Sequence, residues 1–249
     1  MITIISLVII DSSDFSFSRP VSFKIQNDKI YILEIIGNLW VLDSLKAEPT
    51  LLVKGLNQPS YDIEFIKDSI FIGHEGIISK FYKRKLENII TNLPRHTINS
   101  TIKLTADTSN SLYIAVSDKV FKMKANKLFL VASGFFEPIK LKRDKNNRIW
   151  MLAKINENVS GLFPIYENIS YLDIEPIIKF IDEPSSFVIQ DNKILVSFRN
   201  GKIIEYTKFR ELLKGKVIFE SDFEIVDFEF YKNNYYILDF QKGKIYKLK

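Results

Sequence analysis

The stretch Tyr61-Asp-Ile-Glu-Phe65, with the polar turn Lys67-Asp-Ser69 and the apolar run Ile70-Phe-Ile72 behind it, decides the fold because its pattern recurs along the chain. Its alternation of polar and apolar residues is the period-two pattern of a strand with one buried face. The apolar runs are spaced by 40, 42, 37, 45 and 41 residues and begin at Ile30, Ile70, Leu112, Ile149, Ile194 and Tyr235. Self-similarity at a fixed period predicts a repeat architecture.

Each repeat contains more than these two strands. A second turn follows most of the apolar runs and leads to a third strand, as in Gly76-Ile-Ile-Ser-Lys-Phe81, and a less regular fourth strand follows, as in Leu128-Phe-Leu-Val131. The sequence therefore predicts an all-β fold, a six-bladed β-propeller of four-stranded antiparallel blades. One domain spans residues 1–249, with blades that begin near residues 21, 61, 101, 138, 185 and 225.

The two ends of the chain are predicted to meet. The last repeat ends at Lys249 after only three strands, whereas residues 2–10 form an apolar, β-branched stretch with no repeat of its own. We expect this N-terminal strand to supply the missing outer strand of the sixth blade, which also covers an exposed sheet edge. A short helical turn is expected only at Lys208-Phe-Arg-Glu-Leu-Leu-Lys214.

The composition is that of a folded protein with no special chemistry of its own. Of 249 residues, 46% are hydrophobic and 26% charged, and the absence of cysteine excludes disulfides, thiolate metal sites and cysteine nucleophiles. The net charge of +5 is mild and does not indicate nucleic-acid binding. No apolar run is long enough to cross a membrane, and the apolar N-terminus lacks the basic segment of a signal peptide. A cytoplasmic location is predicted, with secretion as the alternative.

Several phrases resemble a known family. Leu56-Asn-Gln-Pro-Ser-Tyr-Asp-Ile-Glu-Phe65 and Ser133-Gly-Phe-Phe-Glu-Pro-Ile-Lys-Leu141 resemble the phrases with which blades begin in the soluble quinoprotein glucose/sorbosone dehydrogenases. Leu93-Pro-Arg-His-Thr97 is similar to the histidine segment of that family. The resemblance implies a propeller whose mouth binds pyrroloquinoline quinone, assisted by calcium, with His96 as the general base.

The chain also departs from that family. Where its members have an Arg-Asn pair before the proline of blade four, this chain has Phe136 and Glu137, which removes a principal contact with cofactor and substrate. The chain is also shorter than typical members, and the long insertions that build their pocket have no counterpart. These departures favour a propeller of that ancestry without its chemistry.

Candidate ligands lie where the chain enters each innermost strand, since these positions surround one mouth of the channel. They are Arg19, Gln58, His96, Glu137, Glu183 and Glu224. Converging glutamates are the ligands that calcium prefers, so Glu137, Glu183 and Glu224 are candidate metal ligands; the alternative is that they are solvated or paired with lysines. Arg19, Gln58 and Arg199 are candidate cofactor contacts. A second histidine, His74, stands in Gly73-His-Glu-Gly76, which resembles a hairpin more than a metal site.

Basic clusters such as Lys80-Phe-Tyr-Lys-Arg-Lys85 and Lys140-Leu-Lys-Arg-Asp-Lys145 are interpreted as outward-facing lysines that guard strand edges, with nucleic-acid contact as the less favoured interpretation. The favoured function is a non-enzymatic binding or scaffold propeller that engages a protein partner through its faces. The alternative is an enzyme, either a divergent quinone-dependent aldose dehydrogenase that uses His96 or a metal-dependent lactonase that uses the glutamates. A small-molecule ligand at the channel mouth is compatible with each.

Overall fold

The computed structural model describes residues 7–93, 101–167, 169–170, 174–190, 193–209 and 212–249. Every regular element in these ranges is a β-strand, and the strands form six sheets arranged as the blades of a propeller. The predicted all-β, six-bladed architecture is therefore confirmed. Among the described residues there is no helix with the length and hydropathy that crossing a membrane requires.

The first three blades follow one another along the chain, each built from the channel outwards. Blade 3 carries one additional outer strand. The strands of blade 1 are β2 (Pro20–Gln26), β3 (Lys29–Glu34), β4 (Leu39–Leu42) and β5 (Thr50–Val53). Those of blade 2 are β6 (Ser60–Ile66), β7 (Ser69–His74), β8 (Ile77–Tyr82) and β9 (Lys85–Ile90). Those of blade 3 are β10 (Ile102–Ala106), β11 (Leu112–Val116), β12 (Lys119–Lys124), β13 (Lys127–Ser133) and β17 (Ile169–Ser170).

The other three blades have the same order. The strands of blade 4 are β14 (Glu137–Arg143), β15 (Ile149–Lys154), β16 (Ser160–Pro164) and β18 (Ile178–Phe180). Those of blade 5 are β19 (Pro184–Gln190), β20 (Lys193–Phe198), β21 (Lys202–Phe209) and β22 (Leu212–Glu220). Those of blade 6 are β23 (Ile225–Tyr231), β24 (Asn234–Asp239), β25 (Lys244–Leu248) and, from the other end of the chain, β1 (Ile9–Ser12).

The N-terminal strand closes the ring, as predicted. Strand β1 pairs antiparallel with β25, with Ile9 opposite Leu248 and Ser12 opposite Tyr246. The backbones of Val8 and Lys249 exchange a further pair of hydrogen bonds, each 3.1 Å long. Residues 1–6, the remainder of the predicted strand, lie outside the described residues.

The helical turn expected at residues 208–214 is wrong. Strands β21 and β22 form the longest hairpin of the protein, and their pairing continues to Phe209 opposite Leu212. Blade 4 departs from the regular meander in another way: the chain between β16 and β18 crosses to blade 3, where β17 pairs in parallel with β13. This segment of the chain therefore adds an edge strand to the neighbouring blade.

The hydrophobic core is divided among the contacts between blades. Six buried clusters are present, and each combines side chains of two neighbouring blades. Between blades 3 and 4, for example, Val120 and Val131 pack against Leu141 and Met151. Because each blade buries apolar side chains on both flanks, the repeats stabilise one another as neighbours in a closed ring.

Candidate functional site at the channel mouth

The innermost strands begin with an irregularity that orients side chains toward the channel axis. Five of them shift register near their start, between Pro20 and Ser22 in blade 1 and at matching positions in blades 2, 4, 5 and 6. A β-bulge of this kind re-aims the next side chain. The residues after the bulges, together with Lys103 at the matching position of β10, are Ser22, Asp62, Lys103, Lys140, Ser186 and Asp227.

These six side chains, which we call the axial ring, close the channel with a buried ion-pair network. The Lys140 ammonium lies 2.8 Å from Asp227 Oδ2 and 3.1 Å from Asp62 Oδ1. Ser22 donates a 2.6 Å hydrogen bond to Asp62, and Ser186 donates a 2.9 Å bond to Asp227. Lys140 is 3% exposed and both aspartates are fully buried, so the network is part of the folded core.

The aspartates also connect the blades through the backbone. Asp62 Oδ2 accepts a 3.0 Å hydrogen bond from the Leu104 amide of blade 3, and Asp227 Oδ2 accepts one of 3.2 Å from the Phe23 amide of blade 1. Leu104 directly follows Lys103, as Phe23 directly follows Ser22. Because both amides bond an aspartate of the ring in the same way, Lys103 of blade 3 occupies the position of Ser22 in blade 1. Each aspartate thus uses both carboxylate oxygens within the ring.

A second layer of charge lies two residues farther along the same strands. Lys24 forms ion pairs with Glu64 at 3.4 Å and Glu229 at 3.1 Å, and Lys142 lies 3.1 Å from Glu229. With the axial ring, this places four lysines against four carboxylates along the axis: Lys24, Lys103, Lys140 and Lys142 against Asp62, Asp227, Glu64 and Glu229. The two layers are balanced in charge.

The electrostatics separate these groups into two kinds. Burial alone would lower the pKa of Lys140, but Asp227 and Asp62 hold it above its ordinary value; burial would raise the pKa of Asp227, but Lys140 and Lys142 hold it below. For Lys103 and Lys142, in contrast, burial prevails and the pKa is lowered. The interpretation of Lys140 and Lys142 as outward-facing lysines is therefore wrong, since both side chains are buried at the axis.

A recess of about 670 Å³ opens above the axial ring on the face where the innermost strands begin. Its walls come from blades 3, 4 and 5. Three cationic side chains line it, Lys103, Lys154 and Arg199, and four acidic ones, Glu137, Glu157, Asp182 and Glu183. Its volume lies in the range of roughly 300 to 1,000 Å³ that is common for small-molecule sites.

The structure places the three candidate metal ligands on this face but pairs two of them with cations. Glu137 Oε2 lies 2.8 Å from Lys154, and Glu224 Oε1 accepts a 2.9 Å hydrogen bond from Arg199. Glu183 is exposed at the edge of the recess. No three acidic or histidine side chains within the described ranges come close enough together to hold a metal ion. The metal role of Glu137, Glu183 and Glu224 stays a prediction.

The remaining candidates are dispersed. Arg19 is exposed, and its carbonyl accepts a hydrogen bond from the Ile35 amide. Gln58 is exposed and bonds the Ile36 carbonyl at 3.2 Å. Of the three predicted cofactor contacts, only Arg199 lines the recess. His96 lies outside the described residues.

His74 belongs to the interior of blade 2. It is 2% exposed, and its Nε2 lies 2.6 Å from Ser79 Oγ, which in turn donates a 2.6 Å hydrogen bond to Asn88. Because Ser79 gives its proton to Asn88, it accepts from the Nε2–H of a neutral His74. Burial lowers the pKa of His74, which agrees with the neutral form.

Comparison with known proteins supports the fold. The chain matches an aldose sugar dehydrogenase from Streptomyces coelicolor, solved in its PQQ-bound form, with a TM-score of 0.82 and 9% identity over 98% of both chains. The match to the PQQ domain of a pyranose dehydrogenase from Coprinopsis cinerea has a TM-score of 0.76 and 6% identity, over 98% of this chain and 97% of that one. The match to virginiamycin B lyase from Staphylococcus aureus has a TM-score of 0.67 and 11% identity, over 98% of both chains.

At such identities the likeness concerns the fold. The predicted resemblance to the quinoprotein sugar dehydrogenases is confirmed at that level, and it extends over the whole ring. No protein-family model matches the sequence, and no curated protein does. The lyase also resembles this chain in fold, and one fold can support different chemistries.

The described residues do not fit the cofactor that the fold suggests. Pyrroloquinoline quinone carries three carboxylates, whereas the recess offers three cations of which two already pair with glutamates, Lys154 with Glu137 and Arg199 with Glu224. Three acidic side chains, Glu157, Asp182 and Glu183, stand exposed at its edge and oppose a second or third carboxylate. We therefore derive no catalytic step through this cofactor.

None of the six axial-ring residues is among the site residues that the sequence predicts. The alternating strands were interpreted as having one buried and one solvated face, whereas the polar face of each innermost strand lies in the closed channel. A signal was present: charged residues fall at matching positions of repeats 2, 3, 4 and 6, namely Asp62, Lys103, Lys140 and Asp227. Charges that line up across repeats meet at the axis of a propeller.

Proposed function

We propose that this chain is a non-enzymatic binding propeller and that the recess above the axial ring is its ligand site. The observation that carries the proposal is the floor of the recess. There Lys103, alone among the three cations of the recess, forms no side-chain ion pair or hydrogen bond with any described residue. A half-buried cation that lacks a counterion among the described residues is stabilised by an anion that fills the space beside it.

The edge of the recess favours a particular class of anion. Glu157, Asp182 and Glu183 are exposed there and accept hydrogen bonds, since ionised carboxylates have only acceptor capacity. A ligand that presents a carboxylate to Lys103 and hydroxyl groups to the edge satisfies both parts. We therefore propose a hydroxylated organic acid, such as a sugar acid, as the ligand class.

The proposed function is tested by calorimetry with gluconate, which has one carboxylate and five hydroxyl groups. We expect binding to the wild-type protein, loss of at least tenfold in affinity for Lys103→Met, and no change for Lys54→Met, which removes an exposed lysine far from the recess. Retention of full gluconate affinity by Lys103→Met, or absence of binding to the wild type, would contradict the proposal.

A protein partner, favoured by the sequence, is the second candidate, and one surface favours it. Three apolar side chains of blade 4 are exposed around the recess, Phe136 at 57%, Ile155 at 37% and Ile181 at 88%. Exposed apolar groups next to a polar recess are typical of contact sites. Substitution of Phe136 and Ile181 by Ser is expected to abolish retention of a partner on the immobilised protein while gluconate affinity is unchanged.

A dehydrogenase function is favoured only by the likeness in fold to PQQ-bound enzymes. Its test is reconstitution with pyrroloquinoline quinone and calcium, followed by dye reduction with several aldoses. Our proposal predicts neither a bound-quinone spectrum nor turnover. The cytoplasmic location is also a prediction, which fractionation of the native cells tests.

A further inference from the structure

Lys103 differs from the other lysines of the channel in its contacts. Lys24, Lys140 and Lys142 each lie within 3.4 Å of at least one carboxylate. Lys103 has no such partner among the described residues, and the carboxylates nearest to it, Asp62 and Asp227, already use both oxygens on other donors. Its amine is therefore the one in the channel that is not committed to the network.

The surroundings of Lys103 favour the neutral amine. Burial lowers its pKa, and the cations of Lys140 and Arg199 act in the same direction, while Asp62 and Asp227 oppose them. A lysine becomes a nucleophile when it is desolvated or lies next to another cation, because the deprotonated amine carries the reactive lone pair. Both conditions are met here.

The position of Lys103 also gives it access to a ligand. It lines the recess together with Lys154 of blade 4 and Arg199 of blade 5. It stands on β10, whose neighbours Leu104 and Ile102 are fully buried, so the strand that carries it is held firmly. A ligand in the recess therefore meets an amine that is carried by a well-packed strand.

We propose that Lys103 binds its ligand covalently, as an imine with the carbonyl carbon of an aldehyde or keto acid seated in the recess. This inference rests on the proposed function, since it takes the same site and the same class of acid. It adds that the preferred ligand carries a carbonyl group in addition to its carboxylate. The protonated Lys103 attracts the carboxylate of the incoming acid, and the same amine, once it has lost its proton, bonds to the carbonyl carbon.

The chemistry is a condensation and needs no oxidant or reductant. The Lys103 nitrogen forms a bond to the carbonyl carbon while the carbonyl oxygen gains a proton, which gives a carbinolamine. Loss of that hydroxyl, with a second proton, as one water molecule leaves the carbon–nitrogen double bond. Hydrolysis reverses both steps, so the ligand is released unchanged.

The experiment compares two sugar acids that differ at one group. Glucuronate has an aldehyde in its open-chain form, and gluconate has none. Each is incubated with the protein and cyanoborohydride, which reduces an imine to a stable amine, and the modified lysine is located by peptide mass spectrometry. We expect one adduct, at Lys103, with glucuronate only.

Two variants separate the inference from the proposed function. Lys103→Arg keeps the cation and removes the nucleophile, so it is expected to bind gluconate and yield no adduct. Lys54→Arg, at an exposed lysine that does not line the recess, is the control and is expected to yield the wild-type amount of Lys103 adduct. Gluconate binding without a Lys103 adduct, or labelling spread over exposed lysines, would overturn the inference and leave the proposed function standing. Failure of both acids to bind would overturn both.

Discussion

At the scale of single residues, Lys140 is the side chain on which the channel depends most. It is the only described cation that contacts both Asp62 and Asp227 within 3.1 Å. Its loss leaves two carboxylates buried beside weaker partners. Breaking a buried ion pair by removing one member typically costs about 3 to 5 kcal/mol.

Lys140→Met is therefore expected to lower the free energy of unfolding by about 3 kcal/mol or more, measured by urea titration. The control is Lys154→Met, which removes the half-exposed pair with Glu137 and is expected to cost no more than about 1 kcal/mol. If Lys140→Met does not fold, the triple variant with Asp62→Asn and Asp227→Asn is expected to recover folded protein. Equal effects of the two single variants would show that the axial network contributes no more than a surface pair.

His74 gives the protein a pH dependence of known sign. Its pKa in the folded state is below the value of about 6.5 in the unfolded chain, so the folded state binds fewer protons. The contribution of the neutral ring to the free energy of unfolding is fully present above the pKa of the unfolded chain. It is lost as the pH falls from that value toward the lower pKa of the folded state. Nδ1 is buried without a hydrogen-bond partner, so a proton placed there is unsatisfied.

We expect the free energy of unfolding of the wild type to fall more between pH 7.5 and pH 5.5 than that of His74→Gln. Urea titration of both proteins at the two pH values measures the difference, and contributions of other groups cancel in the comparison. A parallel decline of the two proteins would mean that His74 is protonated as readily in the folded as in the unfolded chain.

At the scale of the elements, the turns between strands depend on a few glycines. Gly243, in the turn from β24 to β25, has a φ of +62°, and a Cβ there would lie 2.0 Å from the Phe17 carbonyl oxygen. Gly55 has nearly the same φ, +66°, but its Cβ would meet nothing within 4 Å. Substitution of Gly55 tests backbone strain alone, whereas substitution of Gly243 adds a steric clash to nearly the same strain.

Gly55→Ala is expected to cost about 1 to 2 kcal/mol, the penalty of a left-handed conformation for an L-residue. Gly243→Ala is expected to cost clearly more, because the segment around Phe17 must also move away from β25. Thermal unfolding of the two variants gives the comparison directly. Equal melting temperatures would indicate that the N-terminal segment yields freely at this point.

The elements also show why the sequence predicts the blades better than the site. The innermost strands begin at residues 20, 60, 102, 137, 184 and 225, within one residue of the expected positions, because apolar periodicity and polar turns are local signals. The bulges that turn Ser22 and Asp62 toward the axis leave no such signal, since a bulge is set by pairing with the next strand. The pairing of β17 with blade 3 is non-local for the same reason.

At the scale of the whole molecule, the ring is held together by two kinds of contact. Among the described residues, six apolar clusters lie between neighbouring blades. Along the axis lies one polar network of side chains from blades 1, 2, 4, 5 and 6, which blade 3 joins through the Leu104 amide. The apolar clusters between blades could be expected from the repeat. The axial network could not, because the partners of Lys140 lie 78 and 87 residues away in sequence.

Closure of the ring by β1 gives a test of the whole architecture. The chain has no cysteine, so Asp11→Cys with Lys247→Cys places one potential disulfide across the β1–β25 pair, where these residues face each other. Oxidation is expected to raise the free energy of unfolding by several kcal/mol, since a disulfide that closes a loop of about 100 residues contributes about 4.7 kcal/mol in the chain-entropy description. Urea titration of the oxidised and reduced forms of the same variant measures the gain. Asp11→Cys with Lys244→Cys, three residues out of register, is the control and is expected to stay reduced. A variant at positions 11 and 247 that forms only links between molecules would show that the two ends of the chain do not meet in one ring.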